Sequence, residues 1–294
     1  MFREPRVLTG SAERINTLKK VNGHKYSYGH ALILSGGPGH TGAARLAARA
    51  ALRIGAGLVT LGVPGSAQME VASQITAVML KRAGKPEELV AVLEDGRINA
   101  LCLGPGLGTR RARALVEVAA RAERAPTLVL DADALTAFEA EPEALFSLCR
   151  ETRVVMTPHA GEFGRLFPDI AERLASPAAK CPAYSKVDAT RDAAKRAGCV
   201  VLYKGPDTVI ADPEGRCSLN SAAYDRAAPW LATAGSGDVL AGFITGLLAR
   251  GVDPMQAAET AAWLHVECAR SFGPGLIAED LPEELPKVFR AIGV

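Results

Sequence analysis

Six short apolar runs recur along the chain: HALILS at 30–35, LVTLGV at 58–63, INALCL at 98–103, PTLVLD at 126–131, RVVMT at 153–157 and CVVLYK at 199–204. Continuous apolar runs of this length, bounded by turn residues, have the pattern of strands buried on both faces. Between them lie Ala-, Arg- and Leu-rich stretches such as GAARLAARAALRIGAG, which read as helices. Strands alternating with helices imply parallel crossovers, so an α/β layered fold with a central, mostly parallel sheet is expected. After the sixth run, DTVIADPEGRCSL carries a turn signal at Pro213-Glu214-Gly215 and predicts a hairpin-like return. The piece least like strand or helix is 168–185, PDIAERLASPAAKCPAYS, expected to be a surface excursion. With no Ser- or Pro-rich linker, fixed-period repeat or low-complexity segment, one domain over residues 1–294 is expected.

Composition narrows the function classes. The 294 residues are 48% hydrophobic, enough for a large core. Lys and Arg total 34 against 32 Asp and Glu, so net charge gives no argument for nucleic acid or a membrane surface. The first residues lack an apolar signal-type core. The most apolar region, 46–64, is broken by Arg49, Arg53 and three glycines, so it cannot be an uncharged membrane span. A cytoplasmic protein is expected. Cys102, Cys149, Cys181, Cys199, Cys217 and Cys268 include no CxxC pair and no His at zinc spacing, and are expected to be reduced packing residues.

The polar and Gly-rich residues fall where the expected strands end. HALILS runs into Gly36-Gly37-Pro38-Gly39-His40-Thr41-Gly42, INALCL into Gly104-Pro105-Gly106-Leu107-Gly108, and PTLVL into Asp131-Ala132-Asp133. RVVM runs into Thr157-Pro158-His159, and CVVLY into Lys204-Gly205. In an open parallel sheet the ligand crevice lies outside the carboxyl ends of the strands, so one pocket can collect all five. The GxGxxG of the first turn suits a tight turn beside a ligand better than a dinucleotide fingerprint, because LVTLGV ends without the ribose-binding acid. Asp131 at the end of an apolar strand needs a partner or water, as a supporting acid or a catalytic one. His159 suits hydrogen bonding to a ligand, while Glu162, three residues on, is either functional or a complement to the helix macrodipole. Lys204 can face a phosphate or be solvated.

The run ATAGSGDVLAG, at 232–242, then places Gly235-Ser236-Gly237-Asp238 at the start of an apolar helix. Unpaired amides and the positive end of the macrodipole make that terminus attractive to an anion. Asp238 in its first turn can take a proton from a hydroxyl attacking a phosphoryl group, or be an ordinary N-terminal acid. No GxxxxGK[ST] phosphate loop exists elsewhere.

Taken in order, LSGGPGHTGAARLAARAALRIGAGLVT, GPGLG, VLDADAL, TPHAGEF, VVLYKGPDTVIA and ATAGSGDVLAG resemble the ADP/ATP-dependent NAD(P)H-hydrate dehydratases of the ribokinase-like superfamily. The resemblance runs from about Lys25 to the end, including AAWLHVECA and IAEDLPEELP. It implies a three-layer α/β/α fold and repair of NADHX or NADPHX, the C6-hydrated cofactors, to NADH or NADPH with ADP or ATP as co-substrate. By the same resemblance Asp238 is the base and a substrate contact, and Ala43, Gly106 and His159 hold the hydrated dinucleotide. Lys204, Gly205, Pro206, Asp207 and Thr208 form the adenine-nucleotide segment, Gly237 lies against the phosphates, and Glu162 organises Mg2+ through water. A homo-oligomer, commonly a tetramer, is expected, as are the lack of a fused epimerase domain and an epimerase on a separate protein. The chain departs from the family at 220–235, NSAAYDRAAPWLATAG, longer than the usual Asn-x-Thr/Ser-Gly turn, and in the length of 168–185. The same residues also allow a vitamin-precursor or sugar kinase, or a non-catalytic nucleotide-binding protein.

Overall fold

The computed structural model describes residues 4–176 and 183–294. They form a ten-stranded sheet of β1 (Arg6–Val7), β2 (His30–Leu34), β3 (Leu58–Val63), β4 (Met79–Arg82), β5 (Ile98–Leu103), β6 (Thr127–Leu130), β7 (Val154–Met156), β8 (Val200–Tyr203), β9 (Asp207–Ala211) and β10 (Cys217–Ser221). The spatial order is β1-β10-β9-β8-β7-β6-β5-β2-β3-β4. Every pairing from β8 through to β4 is parallel, and β9 alone runs against its neighbours. All six apolar runs are strands, and the expected hairpin is β9–β10, closed at Asp212–Arg216 with Gly215 at φ 86°. The two strands that carry no apolar signal, β1 and β4, lie at the sheet's edges, where side chains stay in water.

Alternation along each strand divides the core in two. Ala31, Ile33, Ala100, Cys102, Val129 and Val155 face one hydrophobic cluster, while Leu32, Leu34, Leu101, Leu103, Leu128 and Met156 face the other. Helices Gly42–Arg53, Ser236–Ala249, Pro254–Phe272 and Asp280–Ile292 cover the first face. Helices Pro86–Leu93, Thr109–Ala120, Pro142–Glu151 and Lys186–Ala197 cover the second, giving the three-layer α/β/α arrangement. The 168–185 segment departs from the expected excursion: Pro168 opens a helix that runs to Ala175 and buries Ile170. A helix-compatible proline at the first position and an apolar residue at core spacing account for it. Residues 177–182, with Cys181, lie outside the described residues. The other five cysteines are free and buried.

The tightest helix contact positions the site. Helix Gly42–Arg53 offers Ala44, Ala47, Ala48 and Ala51, and helix Ser236–Ala249 meets it with Gly242 and Gly246. A Cβ on Gly242 would stand 2.3 Å from the Ala47 carbonyl oxygen, and one on Gly246 would stand 2.2 Å from Ile54 Cγ2. Only residues without side chains allow backbones this close. Between β2 and β5 the connections diverge, β2 leading to β3 on one side and β5 to β6 on the other. Such a switch point opens a crevice at the carboxyl ends.

Candidate functional site

The loops after β2 and β5 meet at that switch point. A Cβ on Gly36 would lie 2.2 Å from the His40 carbonyl oxygen and 2.3 Å from that of Gly106, so the glycine is required by contact. Glu70, just beyond β3, pins the first loop by accepting from the Gly39 N–H at 2.8 Å and the Thr41 hydroxyl at 2.5 Å. These bonds hold its carboxyl below the usual range, the Thr41 hydroxyl foremost. Gly108 N–H donates to Asp133 Oδ2 at 2.7 Å, fixing the second loop. Gly106 is exposed on that loop, and Ala43 is half-buried in the first turn of helix Gly42–Arg53.

Asp131-Ala132-Asp133 follows β6 with Ala132 at φ 48° and ψ −118°, a conformation that costs on the order of 1–3 kcal/mol for a residue with a Cβ. The strained turn sends the two carboxylates to different tasks: Asp133 to Gly108, and buried Asp131 to Lys204 Nζ at 2.7 Å. After β7, His159 caps helix Ala160–Leu166, its Nδ1 accepting from Gly161 N–H at 3.0 Å and Glu162 N–H at 3.3 Å. Glu162 Oε2 accepts from the His159 N–H at 2.8 Å and lies 3.9 Å from Lys204 Nζ. Glu162 thus completes a capping box as a helix-terminal acid, and its buried carboxylate also lies beside Lys204.

Lys204 is therefore not a solvated surface lysine. Burial works against its charge, but Asp131 and Glu162 outweigh burial and raise its pKa. Next to it, helix Ser236–Ala249 begins at Gly235, whose φ of 87° and contact with Leu46 both demand glycine. The Cβ position of Gly237 is 3.7 Å from Lys204 Nζ. Asp238, in the same turn, has no hydrogen-bond or ion-pair partner among the described residues. Burial and, second, the charge of Asp131 push its pKa up to about 6, against the pull of Lys204. A half-buried carboxylate without a partner, poised near neutrality, has the properties of a general base.

Behind the helix start lies a mostly apolar cavity of about 340 Å³, reached by Lys204, Gly205, Pro206 and Thr208 on one wall and Ser236 and Gly237 on another. Asp207 is not part of that wall; it pairs with Ser221 in the β9–β10 ladder. The long 220–235 segment forms the roof through Ala222, Pro229 and Leu231. Arg226 anchors it, pairing with Glu267 at 2.8 Å and donating to Asn220 Oδ1 at 2.9 Å. His265, from helix Pro254–Phe272, closes the floor, its Nε2 donating to the Ser236 carbonyl at 2.9 Å. Burial pushes this imidazole down to about 4, so it is neutral.

The structure brings Asp131, Glu162, Lys204, Gly237 and Asp238 together, with His159 bonded to Glu162. It sets Ala43 in the first turn of the neighbouring helix and Gly106 on the neighbouring loop, and of the nucleotide segment only Asp207 is not part of the cavity wall. Sequence reasoning missed Glu70, Leu231 and His265. For Glu70 the signal was an acid seven residues after an expected strand; for His265, a histidine inside the apolar run AAWLHVECA. No cluster of three or more His, Cys, Asp or Glu side chains among the described residues could cage a metal ion. Glu162 fits a magnesium held mainly by phosphate oxygens and water, the usual manner for that ion.

A helix amino end beside an apolar cavity can hold a nucleotide's phosphates and base, and Asp238 can deprotonate a hydroxyl brought from the crevice. The family model for NAD(P)H-hydrate dehydratase, Carb_kinase, matches residues 31–288. A bifunctional NAD(P)H-hydrate repair enzyme of Moorella thermoacetica is 37% identical over 286 residues, 92% of this chain and 51% of that protein. This chain thus spans about half the length of the curated relatives it matches. The Bacillus subtilis ADP/ATP-dependent NAD(P)H-hydrate dehydratase, co-crystallized with ATP/Mg2+, superposes with a TM-score of 0.76 at 27% identity, covering 98% of this chain and 99% of that one. A ribokinase-like superfamily protein of Enterococcus faecalis shares the fold at a TM-score of 0.79, with 23% identity and coverage of 99% and 98%. The chain belongs to the NAD(P)H-hydrate dehydratase family.

Proposed function

We propose that this chain uses ADP or ATP to dehydrate NADHX or NADPHX, restoring NADH or NADPH. The observation that carries the reading is the unpartnered Asp238 carboxylate at the first turn of helix Ser236–Ala249, beside the Lys204–Asp131 pair. The nucleotide lies with its base in the cavity under Pro229 and Leu231 and its phosphates at the Gly235–Gly237 amides. The hydrated nicotinamide enters between the helix start that carries Ala43 and the loop that carries Gly106, with His159 at their edge.

Asp238 accepts the proton of the ring hydroxyl as its oxygen attacks the terminal phosphorus, and the bond from phosphorus to the nucleotide oxygen breaks. Phosphate then departs from C6 on the electron pair of the ring nitrogen, and loss of a C5 proton restores the ring double bond. Bound magnesium supplies neutralisation of phosphate charge, with Glu162 and water as its partners on the protein. Lys204 keeps positive charge beside the phosphates while Asp131 keeps it from quenching Asp238. A kinase-like site can thus serve a net elimination, because a poor leaving group becomes a good one.

We further propose a single ribokinase-like domain working as a homo-oligomer in the cytoplasm, with epimerase activity supplied from outside these 294 residues. No helix among the described residues is long and apolar enough to cross a membrane. Incubating the protein with hydrated NADPH, magnesium and ADP or ATP, and following recovery of reduced-nicotinamide absorbance, tests the reading. Recovery that requires the nucleotide is expected, and its absence overturns the assignment. A vitamin-precursor kinase would instead give a stable phosphorylated product.

A further inference from the structure

Lys186 is the first residue of helix Lys186–Ala197, on the opposite face of the sheet from the helix that starts at Ser236. Its Nζ reaches under the turn after β8 and donates to the Lys204 carbonyl at 3.0 Å and the Asp207 carbonyl at 2.7 Å. The aliphatic stem crosses toward Tyr203, and Nζ stands 4.1 Å from that ring's centroid. Gly205 makes the space: at φ 158° it carries no side chain, and a Cβ there would stand 2.7 Å from Nζ. One ammonium therefore joins the two ends of the Lys204–Asp207 turn, in space that Gly205 leaves open.

The charge of Lys186 is unlike that of Lys204. Lys204 is neutralised by Asp131 at 2.7 Å and Glu162 at 3.9 Å. Lys186 makes no ion pair with a carboxylate among the described residues; Asp207 acts on it only from further away, and burial pulls its pKa down to about 8. A half-buried cation held by carbonyls and a ring face, with no carboxylate paired to it, is costly unless an anion shares its environment.

Resting on the functional reading above, we infer that Lys186 is a positioning residue for the nucleotide: it shapes the Lys204–Thr208 turn and supplies the uncompensated positive charge behind it. Lys204, by contrast, stands beside the phosphates with its charge shared by Asp131 and Glu162. Neither the motif that identifies the nucleotide segment nor its spacing includes Lys186, which lies 18 residues upstream of Lys204. The two lysines should thus divide the kinetic parameters between them.

The test compares wild type, K186M, K186Q and K186R by steady-state kinetics and by calorimetric titration with ADP and with ATP–magnesium. K186M and K186Q are expected to raise the nucleotide KM and Kd roughly tenfold, through release of the turn and loss of the positive charge behind it. Their kcat and the KM for the hydrated dinucleotide should stay within about twofold, while K186R recovers most of the nucleotide affinity. A merely structural lysine would lower all parameters together, or stability alone, with no split. Unchanged nucleotide KM and Kd in folded K186M or K186Q overturns the inference and leaves the functional reading intact. Wild type that shows no nucleotide-dependent turnover overturns the functional reading first, and the role of Lys186 with it. Should K186M and K186Q not fold, K186R and G205A carry the test: G205A, which crowds the ammonium, is expected to reproduce the nucleotide KM defect. A G205A protein with wild-type nucleotide KM overturns the inference.

Discussion

Lys204 Nζ donates to Asp131 Oδ1 at 2.7 Å, and after burial the two charges of this pair are what act on the neighbouring Asp238. Asp131 raises the affinity of Asp238 for a proton and Lys204 lowers it. Replacing Asp131 by Asn removes both the repulsion and the tether. Asp238 then titrates below about 6, and Lys204, freed, turns toward it. We expect the acid limb of the pH–rate profile to move to lower pH and kcat to fall. Stability should drop by about 1–3 kcal/mol, because Lys204 loses its nearest carboxylate and keeps only Glu162 at 3.9 Å.

In wild type, Asp238 must be ionised to act as a base. With its pKa near 6, kcat/KM should rise with pH through that value and level off above it. A profile flat between pH 5 and pH 8 contradicts the assignment. Asp238→Asn should lower kcat by roughly 10²–10⁴ and leave nucleotide binding nearly intact, as read by single-turnover kinetics and titration.

The same carboxylate lowers stability. Its folded-state pKa lies above the ordinary value of 3.8, so the folded protein prefers it protonated, and stability is lost as pH rises from about 4 through 6. At pH 8, Asp238→Asn should therefore be more stable than wild type, by about 1–2 kcal/mol in denaturant titrations. Near pH 3.5 that difference should vanish.

Glu70 offers a contrast at the other substrate. Its carboxylate fixes Gly39 and Thr41, so Glu70→Ala releases the loop against which Gly106 packs. The KM for the hydrated dinucleotide should rise roughly fivefold to tenfold with the nucleotide KM within about twofold. Equal effects on both would show that the loop serves the nucleotide instead.

Much of this was legible in the sequence. Strands buried on both faces left continuous apolar runs, and the rim residues followed because chemistry sits where those strands end. The edge strand Met79–Arg82 left no such trace, since half of its surroundings are water. The helix at Pro168–Ala175 was hidden by prolines and charges that suit a solvated surface. Within the site, the Asp238 motif was readable from GSGD, but its lack of a partner was not. That depends on Lys204 being held by Asp131, 73 residues away in sequence, through an alanine in a strained conformation. Lys186 left no trace, and His265 only its place in an apolar run, for a related reason: each acts on a backbone carbonyl, and carbonyls leave no signature in side-chain type.

Gly242 and Gly246 lie one and two turns below Asp238, pressed on Ala47 and Ala51 one and two turns below Ala43. The two helices that present the reactants are thereby fused into a single rigid calliper. The span across which a phosphoryl group must pass is gauged not at the jaws but at this waist, where the only adjustable dimension is the absence of a methyl group. A methyl added at Gly242 would cost about 1–3 kcal/mol and splay the jaws, so turnover should decline in a protein whose every reacting group is unaltered.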